Sequence, residues 1–262
     1  MNLQILMSCM HLQNFEIINN SKITSDVLII NQSDENLDQS RTFSDKFGKT
    51  FNVRMISTTE RGLSRSRNLA LKYASGDICL ISDDDQEFEK SYEVSIINAF
   101  EENPKADIII FSVNNPRKKK FSNKKSRVGY LSALRFSSSQ IAFRRARVLQ
   151  KRLMFDVKMG SGTGNGGGEE TKFLYDCLKH GLRIYYVPIL IATLTHSSSM
   201  WFSGFTNKYF MDKGWAHKRT KGYVFGIISI LRFVIIKYPI YRKEISFNKA
   251  VFYGLKGIFV NR

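Results

Sequence analysis

Acidic residues are scarce in this chain: its 262 residues hold 23 Asp and Glu against 40 Lys and Arg, a formal charge of +17. That balance favours an anionic partner, whether nucleic acid, a phosphorylated ligand or an anionic lipid, and does not separate the three. Proline is rarer still, with 4 residues, which excludes a Pro-rich linker or stalk. Cysteine is limited to Cys9, Cys79 and Cys177, widely spaced and without a CxxC pair. Each lies among apolar neighbours and reads as a small buried hydrophobe, so neither a disulfide framework nor a zinc site is expected. The opening MNLQILMSCMHL lacks a basic leading segment and a small-residue cleavage site, which reads as a cytosolic chain. What is present in quantity is apolar residue, 43% of the chain, enough for a full core.

Apolar runs bounded by turn formers predict strands at 3–7, 26–30, 52–56, 78–81 and 108–113, with helical stretches at 38–47, 64–74 and 92–102 between them. This alternation implies a doubly wound α/β half with a largely parallel sheet. Ligands of such sheets sit beyond the carboxyl ends of the strands, where polar residues follow each run: Ser8, then Asn31-Gln32-Ser33, then Thr58 to Arg61, then Ser82 to Asp85. In the second half, a strand is expected at 137–144, a short helix at 146–153 and a helix at 169–180. A final strand over 183–187 is expected to end at Pro188. Between them, 160–168 is a loop with six glycines in nine residues.

Four features carry chemistry. Asp83-Asp84-Asp85 follows the buried run Ile78-Cys-Leu-Ile81, and three adjacent carboxylates at a strand end repel unless a cation joins them. Mg²⁺ or Mn²⁺ does this with one or two protein carboxylates, filling its octahedron with water and substrate phosphate oxygens. An acidic surface turn is the plainer alternative. In Glu60-Arg61-Gly62-Leu63-Ser64-Arg65-Ser66-Arg67-Asn68, Gly62 permits a tight turn, Ser64 reads as a helix N-cap, and Arg65 with Arg67 suits an anion. Glu169-Glu170 opens a helix after the glycine loop, where acids favour the helix dipole or present a general base. His196, in Thr195-His-Ser-Ser-Ser199, is either structural or close to a metal.

The charge concentrates at the C-terminal end, where 213–262 holds 11 basic residues and one acid, Glu244. The same stretch contains the apolar segment 223–236, which at 14 residues and with Arg232 inside falls short of the roughly 20 that span a bilayer. It is expected to lie in the membrane interface, with Lys237, Arg242, Lys243 and Lys249 toward anionic headgroups; a buried core helix with a basic face is the alternative. A second basic run, Arg117 to Lys120 through Lys124, Lys125 and Arg127, reads either as a solvated loop or as a phosphate- or lipid-facing one.

Taken together, Ile29-Ile30-Asn31-Gln32, Gly62-Leu-Ser-Arg-Ser-Arg67-Asn68, Ser82-Asp-Asp-Asp85 and Gly168-Glu-Glu170-Thr resemble the motifs of family 2 glycosyltransferases of the GT-A fold. These are the inverting nucleotide-sugar transferases of bacterial polysaccharide synthesis. The resemblance covers about residues 1–200 and implies a nucleotide-sugar-binding half, 1–113, an acceptor half, 114–200, and a basic amphipathic helical extension, 201–262. It implies that Arg67 contacts the nucleotide, and that Asn31 and Gln32 stand where the family usually carries an Asp reading the base. By the same resemblance Ser8, Gly62, Asp83 and Asp84 would complete the donor site. Asp83, Asp85 and His196 would hold Mn²⁺ or Mg²⁺, and Glu170 would be the catalytic base, with Glu169 as second candidate. The expected partners are a nucleotide-sugar donor, a saccharide or lipid-linked acceptor and the inner membrane surface.

Two other classes fit less well. A metal-dependent nucleotidyltransferase would carry a glycine-rich basic loop after the first strand, where Ser8-Cys9-Met10-His11 offers none. A nucleic-acid-binding protein would interleave stacking aromatics with Arg on a recognisable sheet motif, whereas the basic residues here gather with aliphatics in the tail.

Overall fold

The structure, a computed structural model, describes residues 1–115, 122–195 and 204–262. It opens with β1 (Leu3–Met10), and α1 (Ile17–Asn20) leads to β2 (Asp26–Gln32), β3 (Leu37–Ser44) and β4 (Thr50–Thr58). Next come α2 (Leu63–Tyr73), β5 (Ile78–Asp83), β6 (Gln86–Phe88), α3 (Tyr92–Glu102) and β7 (Ile108–Asn114). The second half contributes β8 (Ser126–Arg127), α4 (Tyr130–Ala133), β9 (Ile141–Arg144), α5 (Arg145–Gln150), α6 (Glu169–Lys179) and β10 (Ile184–Leu194). The tail is α7 (Asn207–Tyr241) followed by α8 (Phe247–Phe259).

The strands form one sheet in the order β3-β4-β2-β1-β5-β9-β7-β10-β6, with β8 on β10. Strands β4, β2, β1 and β5 run parallel, as do β7 and β10, while β9 is antiparallel to both β5 and β7. This is the mixed, mainly parallel sheet flanked by helices that the sequence predicts. β1 is covered on both faces, so its side chains alternate between two cores. Ile5, Met7 and Cys9 pack with Tyr92, Ile96 and Phe100 of α3, whereas Leu6 packs with Ala70 and Leu71 of α2 and Phe173 and Cys177 of α6. All three cysteines are buried and free, and burial pushes the Cys9 and Cys79 thiols up to about 12.

Three local expectations are corrected. The stretch 38–47 is not a helix but the exposed edge strand β3, paired antiparallel with β4. A turn decides this: Asp45 Oδ1 accepts the Phe47 and Lys49 N–H groups, and Gly48 takes φ +82°, folding the chain back as a hairpin. β10 does not end at Pro188 but runs on to Leu194, because the register shifts between Tyr186 and Leu190 and the missing proline N–H falls in that irregularity. Ser64 is not the N-cap of α2. Gly62 is, and Ser64 Oγ instead donates to the Met159 carbonyl at 2.7 Å.

The tail folds on itself. Gly222, at φ +76°, breaks α7 into 207–221 and 223–241, and α8 packs against both through Phe210, Ile230, Val234, Tyr241, Ala250 and Ile258. The helix after the break, 223–241, runs past the sequence count of 223–236; taken whole, α7 has the length and composition to cross a bilayer, but Gly222 divides it. Its second part is two-faced, however, with Ile230 and Val234 turned into the tail core while Val224, Phe225, Ile228, Ile235 and Ile236 are exposed.

The α7–α8 crossing is backbone on backbone. A Cβ on Gly214 would lie 1.9 Å from the Gly254 carbonyl oxygen, and one on Gly257 would lie 2.0 Å from that of Met211. Gly214→Ala should raise helix propensity by about 1 kcal/mol, yet overpacking at this contact costs roughly 1–3 kcal/mol, so a lowered melting temperature is expected. Thermal denaturation checks the sign: an unchanged or raised midpoint would show that the helices do not meet this closely.

Candidate active site

The carboxyl ends of β1, β2, β4 and β5 converge with the starts of α2 and α6. Arg67, one turn into α2, is 3% exposed and joins them. Its Nη1 donates to Glu169 Oε1 at 2.9 Å, and its Nη2 donates to Asp83 Oδ1 at 3.0 Å and to Ser138 Oγ at 2.8 Å. Ser138 in turn donates to Asp83 Oδ2 at 3.2 Å. Burial opposes the Arg67 charge, but the Asp83 and Glu169 carboxylates outweigh it and hold its pKa above the usual value. One arginine thereby ties the end of β5 to the start of α6.

Glu170, next to Glu169, is placed differently. Burial, and then the neighbouring Glu169 carboxylate, push its pKa up to about 7, against the opposing pull of Arg67 and Lys213. A carboxylate poised near neutrality is suited to take a proton from a substrate hydroxyl, whereas Glu169 is committed to its ion pair.

Of the donor-side residues, Ser8 is buried and its Oγ accepts from Ser66 Oγ at 2.8 Å. The Asn31 amide is bonded on both sides, to the Leu12 backbone and to Ser57 Oγ. Gln32 Oε1 accepts the Gly62 N–H at 2.7 Å. These residues line up along the sheet edge and brace its loops. Arg65 pairs with Glu60 and Arg61 with Asp34, so the cations beside Gly62 already have carboxylate partners.

The glycine loop is clasped from two sides. The Leu63 N–H donates to the Ser161 carbonyl at 3.0 Å, and a Cβ on Gly160 would meet the Glu169 carboxyl at 3.2 Å. On the other side, Lys208 Nζ donates to the Gly164 carbonyl at 2.7 Å, Arg262 reaches Asn165 Oδ1 at 3.2 Å, and Trp215 packs on Met159. Glycines 160, 162, 164, 166 and 168 all take positive φ. The tail's grip on this loop is a contact that the sequence alone did not reveal.

Asp84 is exposed and Asp83 and Asp85 are half-buried. Among the described residues no group of three or more His, Cys, Asp or Glu side chains is clustered as a metal site. The oxygen donors present nonetheless suit Mg²⁺ or Mn²⁺, which need only one or two protein carboxylates when a diphosphate supplies the rest. Arg67 Nε and Gln86 Nε2, buried side-chain nitrogens with no hydrogen-bond partner among the described residues, belong to residues bonded to Asp83 and to Ser82, beside these carboxylates. Thr195 donates through its N–H to the Asp85 carbonyl at 2.9 Å; His196 lies outside the described residues, as do 117–120 of the second basic run.

The chain matches the family model of glycosyl transferase family 2 over residues 16–164. No curated protein matches it. Among solved structures, S. aureus TarS 1–349 is similar with a TM-score of 0.59 at 14% identity, covering 93% of this chain and 74% of that one. The same TarS 1–349 in complex with UDP-GlcNAc gives a TM-score of 0.61 at 16% identity over the same shares. Against the longer S. aureus TarS the TM-score is 0.60 at 14% identity, with 93% of this chain and 44% of that one covered. At these identities the likeness is one of fold, the GT-A fold.

Proposed function

Because the chain belongs to glycosyl transferase family 2, we propose that it moves a sugar from a nucleoside-diphosphate donor to an acceptor hydroxyl, inverting the anomeric carbon. The observation that carries this reading is the Arg67 bridge, which sets Asp83 and the Glu169-Glu170 pair around one corner of the sheet edge. Glu170 takes the proton of the acceptor hydroxyl. That oxygen attacks the anomeric carbon from the face opposite the diphosphate, the bond to the diphosphate oxygen breaks, and the nucleoside diphosphate leaves with the electron pair. One displacement gives inversion without a covalent intermediate. Asp83 and Asp85 would hold Mg²⁺ or Mn²⁺, which when bound supplies charge neutralisation at the leaving diphosphate.

Arg67 acts here by positioning, since its guanidinium tips are occupied by Asp83, Glu169 and Ser138. A uridine donor is supported by the similarity to TarS in complex with UDP-GlcNAc. Calorimetric titration with UDP, GDP and CDP, with and without Mn²⁺, tests the donor site. The expected result is metal-dependent binding of UDP that is lost on Asp83→Ala with Asp85→Ala. Absence of binding by every nucleotide to folded, metal-supplied protein would sink the transferase reading.

The acceptor is a saccharide or lipid-linked saccharide of cell-surface polysaccharide synthesis, met at the cytoplasmic face of the membrane. This placement is supported by the exposed apolar side of 223–241, flanked by exposed Arg232, Arg242, Lys243, Lys249 and Lys256. Because the opposite side of that segment packs on α8, it lies along the interface. The protein is expected to sediment with anionic vesicles at low salt, to be released at high salt, and to stay in the supernatant when the vesicles are neutral.

A further inference from the structure

A cavity of about 480 Å³ opens where the tail meets the sheet domain, lined by Lys172 of α6, by Lys218, Arg219 and Tyr223 of α7, and by Asn261 and Arg262. Among its walls four residues are cationic and one, Asp156, is anionic. Arg219 holds Asp156 through Nη2 at 2.8 Å, Arg262 holds Asp212 at 2.6 Å, and Lys172 pairs with Asp176. Lys218 differs. Its Nζ meets neutral oxygens, the Val260 carbonyl at 3.3 Å and Asn261 Oδ1 at 3.4 Å, and among the described residues no carboxylate pairs with it. Gly222 and Tyr223 also line the cavity, and the helix that restarts after the Gly222 break brings its N-terminal end there, adding partial positive charge.

The cavity is continuous with an apolar surface. Tyr223 both lines it and begins the exposed stripe of Val224, Phe225 and Ile228. Phe259, 65% exposed, stands with its ring centroid 6.4 Å from that of Tyr223. A soluble anion would answer the cations and leave the stripe bare; an amphiphile answers both. We infer that this cavity binds the phosphate headgroup of an anionic lipid whose acyl chains lie along the exposed stripe of α7. The inference rests on the membrane placement proposed above and adds a discrete headgroup site to it.

Calorimetry with water-soluble dihexanoyl phosphatidic acid, kept below its micelle concentration, tests the site on the full chain. The expected result is one-to-one binding at least tenfold tighter than that of dihexanoyl phosphatidylcholine or inorganic phosphate. Lys172→Gln with Lys218→Gln should weaken it at least tenfold, whereas Lys90→Gln with Lys105→Gln, a pair of exposed lysines in the turns before and after α3, should leave it unchanged. Equal binding of inorganic phosphate would overturn the lipid assignment in favour of a free-anion site. Equal loss in both double variants, or binding that does not saturate, would overturn the site in favour of diffuse charge. UDP titrated into the same preparations reports the donor site independently, so failure of the lipid site and failure of the transferase reading are told apart.

Discussion

Glu170→Gln is expected to lower turnover by roughly 10²–10⁴-fold, the usual contribution of a positioned general base, while UDP binding persists. Glutamine keeps the shape of the side chain and cannot accept the hydroxyl proton. The pH profile supplies a second signature. Burial and the Glu169 carboxylate raise Glu170 to about 7, and the base works only when deprotonated. Turnover should therefore rise as pH increases through about 7 and level off above it, and this limb should vanish in Glu170→Gln. Glu169→Gln removes the like charge that raises Glu170, so the limb should move to lower pH. Steady-state rates across pH with the three proteins decide the matter. A Glu169→Gln enzyme that loses turnover while Glu170→Gln retains it would reverse the two roles.

Arg67→Met is expected to destabilise the fold by about 3–5 kcal/mol, because Glu169 is left as a buried charge without its partner and Asp83 loses its cation. For a chain of this size the melting temperature should fall by on the order of 10 °C. Lysine is a poor substitute, since a single ammonium cannot present the planar fork that reaches Asp83, Glu169 and Ser138 together. A compensated variant separates charge from shape. Arg67→Met with Asp83→Asn and Glu169→Gln removes all three charges and should recover much of the lost midpoint, though not activity. If the triple variant is no more stable than Arg67→Met alone, the loss comes from packing of the Arg67 stem on Phe155, whose ring centroid lies 5.5 Å from the guanidinium carbon.

How much of this was legible beforehand follows from which forces are local. The runs of β1, β2, β5 and β7 are legible because a strand buried on both faces is apolar along most of its length, whereas β4 shows as alternation, with Phe51, Val53 and Met55 buried between more exposed neighbours. β3 reads as a helix in the sequence because Leu37–Ser44 is an edge strand exposed along nearly all its length; no buried alternation marks it, and its state is set by pairing with β4. The acidic triplet and the glutamate pair stood out as types in unusual company. The burial of Arg67 did not, since nothing in Arg65-Ser66-Arg67 distinguishes a solvated arginine from one closed over by α6 and the residues before β9. The tail was legible as basic and apolar, but its hold on the glycine loop joins Lys208 to Gly164 across a separation that no local pattern carries.

That hold has an entropic consequence. Every second residue from Gly160 to Gly168 sits in the left-handed region, and glycine gives up more freedom on ordering than any other residue. Such a loop has almost no side chains with which to repay its own ordering, so its shape is imposed by α2 on one side and the tail on the other. A chain shortened before Asn207 would keep the sheet, the aspartates and the glutamates, yet leave the peptide that abuts the Glu169 carboxyl free to wander. Amide exchange across 160–168 would quicken in such a chain while exchange in β1 and β5 stayed slow. The tail is thus one half of a mould in which the proposed catalytic corner is cast.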